Sequence, residues 1–235
     1  RQLPQLARAT VPDYCELAIV ANATGLAPDV PALHAPIART LELPELFRPR
    51  ASGGLLAGEG RLDMFVCLRR PDELSFAGGV FVVVRCDDAA TWRVLRDKGI
   101  PVSADGATAL LHNPVHLLGI EAPMTLFDAL WLRVPAAALQ PRCDLAARAN
   151  RALAAGSVLR IGARHAIEGL APELIDAGPV SDDCPLPYYL AAGCRLRVDV
   201  PAGAALTRAM VDAPEDAALW RLRAEQDAHF FATRR

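Results

Sequence analysis

Two stretches far apart in this chain repeat one another. Asn150-Arg151-Ala152-Leu153-Ala154-Ala155-Gly156-Ser157-Val158-Leu159 is echoed by Val198-Asp199-Val200-Pro201-Ala202-Gly203-Ala204-Ala205-Leu206-Thr207. Each has an apolar-alternating arm, a turn ending in Gly, and a Leu three residues beyond that Gly. A unit this small cannot bury its apolar side alone, so two related hairpin arms folded against each other are expected. The repeat marks residues 140–235 as a domain of short strands and turns. Its tail, 214–231, reads as a helix with Leu219, Leu222 and Phe230 sharing one face.

Upstream the texture differs. Thr10-Val11-Pro12-Asp13 has the form of a capping box with Pro early in the first turn. Leu17, Val20, Ala21 and Thr24 follow at helical spacing, and Gly25 is placed to stop the helix. Residues 26–60 are dense in Pro and Gly and lack periodicity, which predicts a long ordered loop with a functional or covering role. Residues 62–68 and 80–85 read as strands. The second is nearly all Val and Phe, so burial on both faces is expected. Asp88 is placed to cap a helix over 89–98 with Trp92, Val94 and Leu95 inward. Residues 108–111 form a further strand, and 124–132 an apolar helix capped near Thr125. This succession predicts an α+β fold, a mixed sheet with helices on one side over residues 1–134, ending in a linker at 135–141.

Composition narrows the function classes. At 52% hydrophobic and 22% charged residues, the 235-residue chain falls in the globular class. A net charge of −2 offers no general attraction to nucleic acid or to an anionic membrane. No apolar run approaches the ~20 residues a bilayer span requires, and no signal peptide is visible. Lys98 is the sole lysine beside 24 arginines, a coding bias of GC-rich genomes. The chain opens on Arg1, so a preceding segment is expected to have been removed or to belong to a longer protein. Cys15, Cys67, Cys86, Cys143, Cys184 and Cys194 show neither zinc-ribbon nor thioredoxin-like spacing. They are expected to be reduced and mostly buried, in a cytoplasmic protein.

Candidate chemistry concentrates in two polar, turn-rich stretches. One runs from Ala21 through Asn22, Thr24 and Asp29 to His34, and the other from His112 through Asn113 and His116 to Glu121. Gly and Pro in each can hold several side chains toward one small ligand. His116 and Glu121 suit proton transfer near neutral pH, and equally suit a histidine at a helix start with a carboxylate bonding backbone amides. Asn22, Thr24 and Asp29 either line a substrate pocket or satisfy helix-end carbonyls. If both stretches serve one ligand, Asn22 or Thr24 approaches His116 or Glu121 across a shared cleft. Arg48 can meet an anion through its fork or form an ion pair. His112 and Asn113 are further substrate contacts. Pro114 between His112 and His116 spoils the helical spacing a metal pair needs, so no metal site is expected. His34 reads as loop packing. Ser75 and Ser103 lack a nucleophile elbow. His165, Tyr188 and Tyr189 read as core and edge packing.

Several of these motifs carry a family resemblance. The Ala-Gly-Ser-Val-Leu and Ala-Gly-Ala-Ala-Leu arms resemble a SAF domain, the small β-clip module of sialic-acid synthases, antifreeze proteins and flagellar chaperones. Val20-Ala21-Asn22-Ala23-Thr24-Gly25-Leu26 with Pro28-Asp29, Phe47-Arg48-Pro49 with Gly53-Gly54, Pro114 with His116-Leu117, and Glu121 with Pro123 resemble SAF-containing oxidoreductases similar to homoserine dehydrogenases. That group includes the deoxyxylulose-phosphate reductoisomerase-like enzymes. The resemblance implies an NAD(P)-dependent enzyme acting on a small polar metabolite. The family opens with a Rossmann domain. This chain has no Gly-x-Gly-x-x-Gly after a strand, and Lys98 does not lie in a segment like the family's catalytic lysine. Asn113 and Val115 stand where relatives carry Arg and Tyr.

Three functions follow as expectations. The first is the substrate-binding and SAF portion of such an oxidoreductase. It would bind no cofactor alone and be completed by a Rossmann-domain subunit or segment or by homo-oligomerisation. The second is a stand-alone isomerase, cyclase or lyase built on the residual pocket. The third is a non-catalytic SAF binding or assembly module.

Overall fold

One carboxylate sets the start of the first helix. Asp13 accepts from the Thr10 N–H at 2.5 Å and from the Thr10 hydroxyl at 2.8 Å, while Pro12 occupies a first-turn position whose N–H no helix needs. Gly25, at φ 80°, ends the helix with its N–H on the Ala21 carbonyl. The computed structural model describes residues 10–73, 75–85, 88–215 and 217–232. Cys86 lies outside the described residues.

The elements run α1 (Val11–Thr24), β1 (Ala27–Pro28), β2 (Ile37–Ala38), α2 (Leu43–Leu46), β3 (Arg61–Leu62), β4 (Val66–Cys67) and β5 (Val80–Arg85). Then come α3 (Ala89–Asp97), β6 (Thr108–Asn113), α4 (Leu118–Phe127) with a π turn over Asp128–Leu132, β7 (Cys143–Ala149), β8 (Leu170–Asp176), β9 (Arg195–Leu196), β10 (Val211–Asp212) and α5 (Ala218–Phe230). The fold is α+β. By contacts the chain divides into two units, residues 1–33 with 139–235, and 34–138. The sequence predicts residues 1–134 as one domain. Instead, α1 belongs with the C-terminal part, where Val11 shares a core with Ala147, Ala149 and Leu190.

In that first unit β7 and β8 pair antiparallel from Cys143↔Asp176 to Ala149↔Leu170. The repeated arms meet across a local twofold. Leu153 N–H donates to the Val200 carbonyl at 2.9 Å, and Val200 N–H to the Leu153 carbonyl at 2.8 Å. The pattern continues outward in matched pairs. Gly156 bonds Leu196 as Gly203 bonds Ala149, and Leu159 bonds Cys194 as Leu206 bonds Ala147. Gly156 and Gly203 both adopt positive φ, 80° and 83°, which glycine reaches without steric cost. The two equivalent leucines, Leu159 and Leu206, are fully buried.

α5 is held to this unit by a charged side chain. Arg223 is buried and forms a two-pronged pair with Asp144 (2.9 and 2.7 Å), a further bond to Asp227 (2.6 Å) and one to the Gly178 carbonyl. Leu219, Leu222 and Phe230 share one face as expected, and it is the exposed one, while Trp220 packs against the core and Arg223 is buried. Burial of Arg223 is tolerated because each of its guanidinium nitrogens meets a carboxylate or carbonyl oxygen.

The second unit is organised around aromatic rings. Phe47, Phe65 and Phe76 are buried and pack on Phe81 at centroid distances of 5.1–6.1 Å. β5 and β6 pair antiparallel from Val80↔Asn113 to Arg85↔Thr108, and β2 pairs parallel with β4. Parallel and antiparallel pairings thus occur in separate two-stranded ribbons, and not in the one mixed sheet expected. β5 is also not buried on both faces. Phe81 and Val83 pack inward, whereas Val80 and Val82 are 65% and 47% exposed. The strand expected over 62–68 is interrupted because the Asp63 carboxylate turns back to accept the N–H groups of His34, Ala35 and Met64. α3 is capped as expected, Asp88 accepting from Ala90 N–H, with Trp92 buried but Val94 exposed. The helix expected over 124–132 begins earlier, at Leu118. Thr125 caps nothing, since its hydroxyl donates to the Glu121 carbonyl within the helix.

Candidate functional site

β6 delivers the second polar stretch to the surface. Its inner residues Ala109 and Leu110 are fully buried, and the strand emerges so that His112 and Asn113 are exposed. The His112 ring stacks on buried Phe76 at 5.9 Å, which fixes its plane. Asn113 turns the chain by accepting the Val115 N–H at 3.4 Å. The turn then carries His116 to the start of α4.

There His116 and Glu121 come together. Nδ1 of His116 lies 3.9 Å from Oε2 of Glu121, and the other carboxylate oxygen accepts the Leu117 N–H at 3.1 Å. Glu121 is therefore anchored by the helix start and faces the imidazole at the same time. Both side chains are about half exposed, 44% and 50%. The other ring nitrogen, Nε2, sits over Gly78, where a Cβ would fall only 2.7 Å from it. Gly78 has φ +77°, so the position excludes a side chain on both counts. At Gly79 a Cβ would press on Phe76 and on the Pro114 carbonyl. Two adjacent glycines thus let the 76–79 turn lie directly against the turn that holds His116. The arrangement is an oriented, solvent-reachable imidazole with a carboxylate behind one nitrogen. It can hold or move a proton at Nε2 of His116, the nitrogen the carboxylate does not face.

The remaining candidates are placed differently. Asn22 is committed to backbone: its Oδ1 accepts from Arg142 and Cys143 N–H, both at 2.8 Å, and its Nδ2 donates to the Cys143 carbonyl at 3.0 Å. It splices the end of α1 to the start of β7. The Thr24 hydroxyl donates to the Val20 carbonyl at 2.7 Å and receives the Leu26 N–H. Asp29 lies half-buried in the turn after β1. These three belong to one unit, and His116 and Glu121 to the other. Arg48 is an ion-pair residue, with Nη1 on Asp105 at 2.6 Å and Nη2 on Glu45 at 2.7 Å. Each Nη is thus taken by a carboxylate, the ion-pair alternative for this residue, while its buried Nε has no hydrogen-bond partner among the described residues. Asp105 also receives the Ser103 hydroxyl at 2.6 Å. That bond, the Ala107 N–H and Arg48 pull its carboxyl down to about 2. Ser103 is buried in this clamp, where its hydroxyl oxygen also accepts the Ala107 and Thr108 N–H groups.

Other groups are structural. Tyr188 hydroxyl receives the Ile167 N–H at 2.8 Å, and Tyr189 donates to the His165 carbonyl at 3.3 Å. Burial pushes the Tyr189 phenol up to about 12 and the thiols of Cys143 and Cys194 to about 11. Cys184 is exposed. A recess of about 300 Å³ opens between β5 and the 58–61 turn, lined by Phe47, Leu56, Arg61, Val83 and Thr108. No candidate residue lines it. Among the described residues, no cluster of three or more His, Cys, Asp or Glu could hold a metal ion, and no helix is long and apolar enough to cross a membrane.

Sequence reasoning missed Asp63, the Ser103–Asp105–Arg48–Glu45 clamp, Gly78 and the Arg223–Asp144 pair. Asp63 was detectable as a lone carboxylate inside an apolar run, and Arg223 by its i, i+4 relation to Asp227. Gly78 left no signal beyond a Gly-Gly turn.

Comparison with known proteins bears on one segment. Residues 10–122 match the family described as "Oxidoreductase DRL, catalytic domain". The segment is oxidoreductase-like, and it contains every candidate residue from Asn22 to Glu121. No curated protein matches the chain.

Proposed function

We propose that this chain supplies the substrate side of an NAD(P)-dependent oxidoreductase acting on a small polar metabolite. The observation that carries this reading is the His116–Glu121 pair, exposed and oriented, inside a segment that matches an oxidoreductase catalytic domain. Interconverting an alcohol and a carbonyl requires a proton at oxygen as well as a hydride at carbon. His116 is the group suited to the proton, with the Glu121 carboxylate 3.9 Å from its Nδ1. His112 and Asn113, on the strand that leads there, supply polar contacts to the substrate.

The residues present do not fit a dinucleotide. The N-terminus of α1 holds Asp13, that of α3 is capped by Asp88, that of α4 carries Glu121, and α5, which has no acid in its first turn, follows Ala213-Pro214-Glu215 with no glycine. A pyrophosphate needs free N–H groups, no such charge and a glycine where the backbone meets it. The nicotinamide, which supplies the hydride, is therefore assigned to a nucleotide-binding segment other than residues 10–232. The homoserine-dehydrogenase-like group and a SAF-like β-clip over residues 140–235 belong to the same proposal. The matched hydrogen bonds across the Leu153–Val200 twofold support the β-clip.

The test is turnover of NADH or NADPH by this chain combined with the nucleotide-binding segment encoded beside or before it, screened over small hydroxy and keto acids. His116→Ala should lower kcat about 10²–10⁴-fold with an unchanged thermal midpoint. A His116→Ala enzyme that turns over normally overturns the assignment, as does micromolar binding of either nucleotide to this chain alone.

A further inference from the structure

The recess beside β5 lies at the far end of the β5–β6 ribbon from His112 and Asn113. Arg85 pairs with Thr108 there, whereas His112 pairs with Phe81, about 13 Å away along the strands. Phe47 and Leu56, both buried, and half-buried Val83 give the recess an apolar floor. Its volume of about 300 Å³ is room for a small molecule and too little for a dinucleotide.

The turn over 58–61 supplies the polar side. The N–H groups of Gly58, Glu59 and Gly60 meet no acceptor among the described residues. A Cβ at either glycine would have nothing within 4 Å, and Gly60 has φ +70°, so bare backbone borders open space. Successive amides that the chain leaves unpaired are donors available to a ligand, and runs of them form anion sites. Arg61 and Arg85 line the same recess against one carboxylate, Glu59. The lining thus carries one positive charge in excess, which matches a carboxylate better than a doubly charged phosphate. Arg85 meets Glu59 only at 3.4 Å, with the side chains 62% and 64% exposed. So loose a surface pair is weak, and a ligand carboxylate can take the place of Glu59 on the guanidinium fork. We propose that this recess binds a small ionised carboxylic acid, its carboxylate on Arg85 and the 58–60 amides and its apolar body on Phe47, Leu56 and Val83. The site is separate from the His116 site and does not depend on the reaction assigned there.

The experiment is titration of the full chain with phenylacetate, followed by calorimetry and by nitrogen–proton correlation spectra, with phenylacetamide and inorganic phosphate as controls. Phenylacetate should saturate with a dissociation constant below about 1 mM and move the amide signals of Gly58, Glu59 and Gly60. Arg85→Gln should weaken binding about 10-fold with an unchanged melting temperature, because the side chain is exposed. Phenylacetamide keeps the shape without the charge and should bind about 10-fold more weakly or worse. No saturation by about 10 mM phenylacetate overturns the proposal, as do equal affinities for acid and amide or an Arg85→Gln chain that binds normally. Signals that move at His112 and Asn113 but not at residues 58–60 overturn it too. Phosphate that binds those amides more tightly than phenylacetate does assigns the turn to a phosphate ester and overturns the carboxylate assignment.

Discussion

The two repeated arms and α4 with its π turn are both apolar, yet they meet water on different terms. In the arms the buried apolar residues have counterparts within the same chain: Leu153 faces Val200, and Leu159 and Leu206 occupy matching buried positions. Backbone and side chains are satisfied together, because the N–H groups of Leu153, Gly156 and Leu159 and of Val200, Gly203 and Leu206 each meet a carbonyl across the twofold. α4 and its π turn satisfy only their backbone. Their hydrogen bonds close within the segment, while Ile120, Met124 and Trp131 stay in contact with solvent. An apolar pattern therefore says that burial is needed, and only the number of complementary surfaces within the chain says where it happens.

The contrast can be broken most forcefully in the arms. Leu206→Ala should cost about 3–5 kcal/mol, as truncation of a fully buried leucine does, whereas Leu130→Ala measured in dilute solution should stay within about 0.5 kcal/mol. Thermal or denaturant melts of the two variants decide it, and comparable losses would erase the distinction. A smaller effect sharpens the symmetry. Gly156→Ala and Gly203→Ala both force alanine to positive φ without crowding any atom within 4 Å. Each should cost about 1 kcal/mol, and the two values should agree. Clearly unequal costs would show that the arms match in hydrogen bonding but not in energetics.

The smallest effect concerns acid. Asp105 ionises at about 2 in the folded chain, against 3.8 ordinarily, so folding favours its charged form. Its contribution to stability is complete above about pH 4 and is lost as the pH falls from there through 2. Melting temperature followed between those limits should lose this part of its slope in Asp105→Asn. An unchanged slope would mean that the clamp with Ser103 and Arg48 contributes nothing to acid stability.

Much of the fold was legible in local chemistry. The capping box at Thr10, the Gly25 stop, the Asp88 cap and the Gly-x-x-Leu echo each rest on a few adjacent residues, and each has its counterpart in the structure. What failed was whatever needed a partner distant in the chain. Val80 and Val82 read as buried because nothing nearby shows that their ribbon has only two strands. Residues 62–68 read as continuous because the amides that recruit Asp63 come from His34 and Ala35. Asn22 looked like a ligand contact until Cys143 supplied the backbone it bonds. At the candidate site the histidine and glutamate were legible, being five residues apart, while Gly78, which gives Nε2 its room, was not.

The twofold between the arms also orders events in time. β7 and β8 are joined by a connection that lies wholly between them, so they can pair as soon as that stretch is made. The Leu153–Val200 bonds must wait until the chain has passed through β8 and returned by way of β9. Closing so long a loop costs entropy before any contact offsets it, and such pairings set the pace of folding. Until that closure, Leu159 and Leu206 are both in water, and a ribosome-bound chain holds one arm ready for a mate not yet synthesised. Closure of the arms thus comes after β7–β8 pairing, and the docking of α5 through Arg223 comes later still.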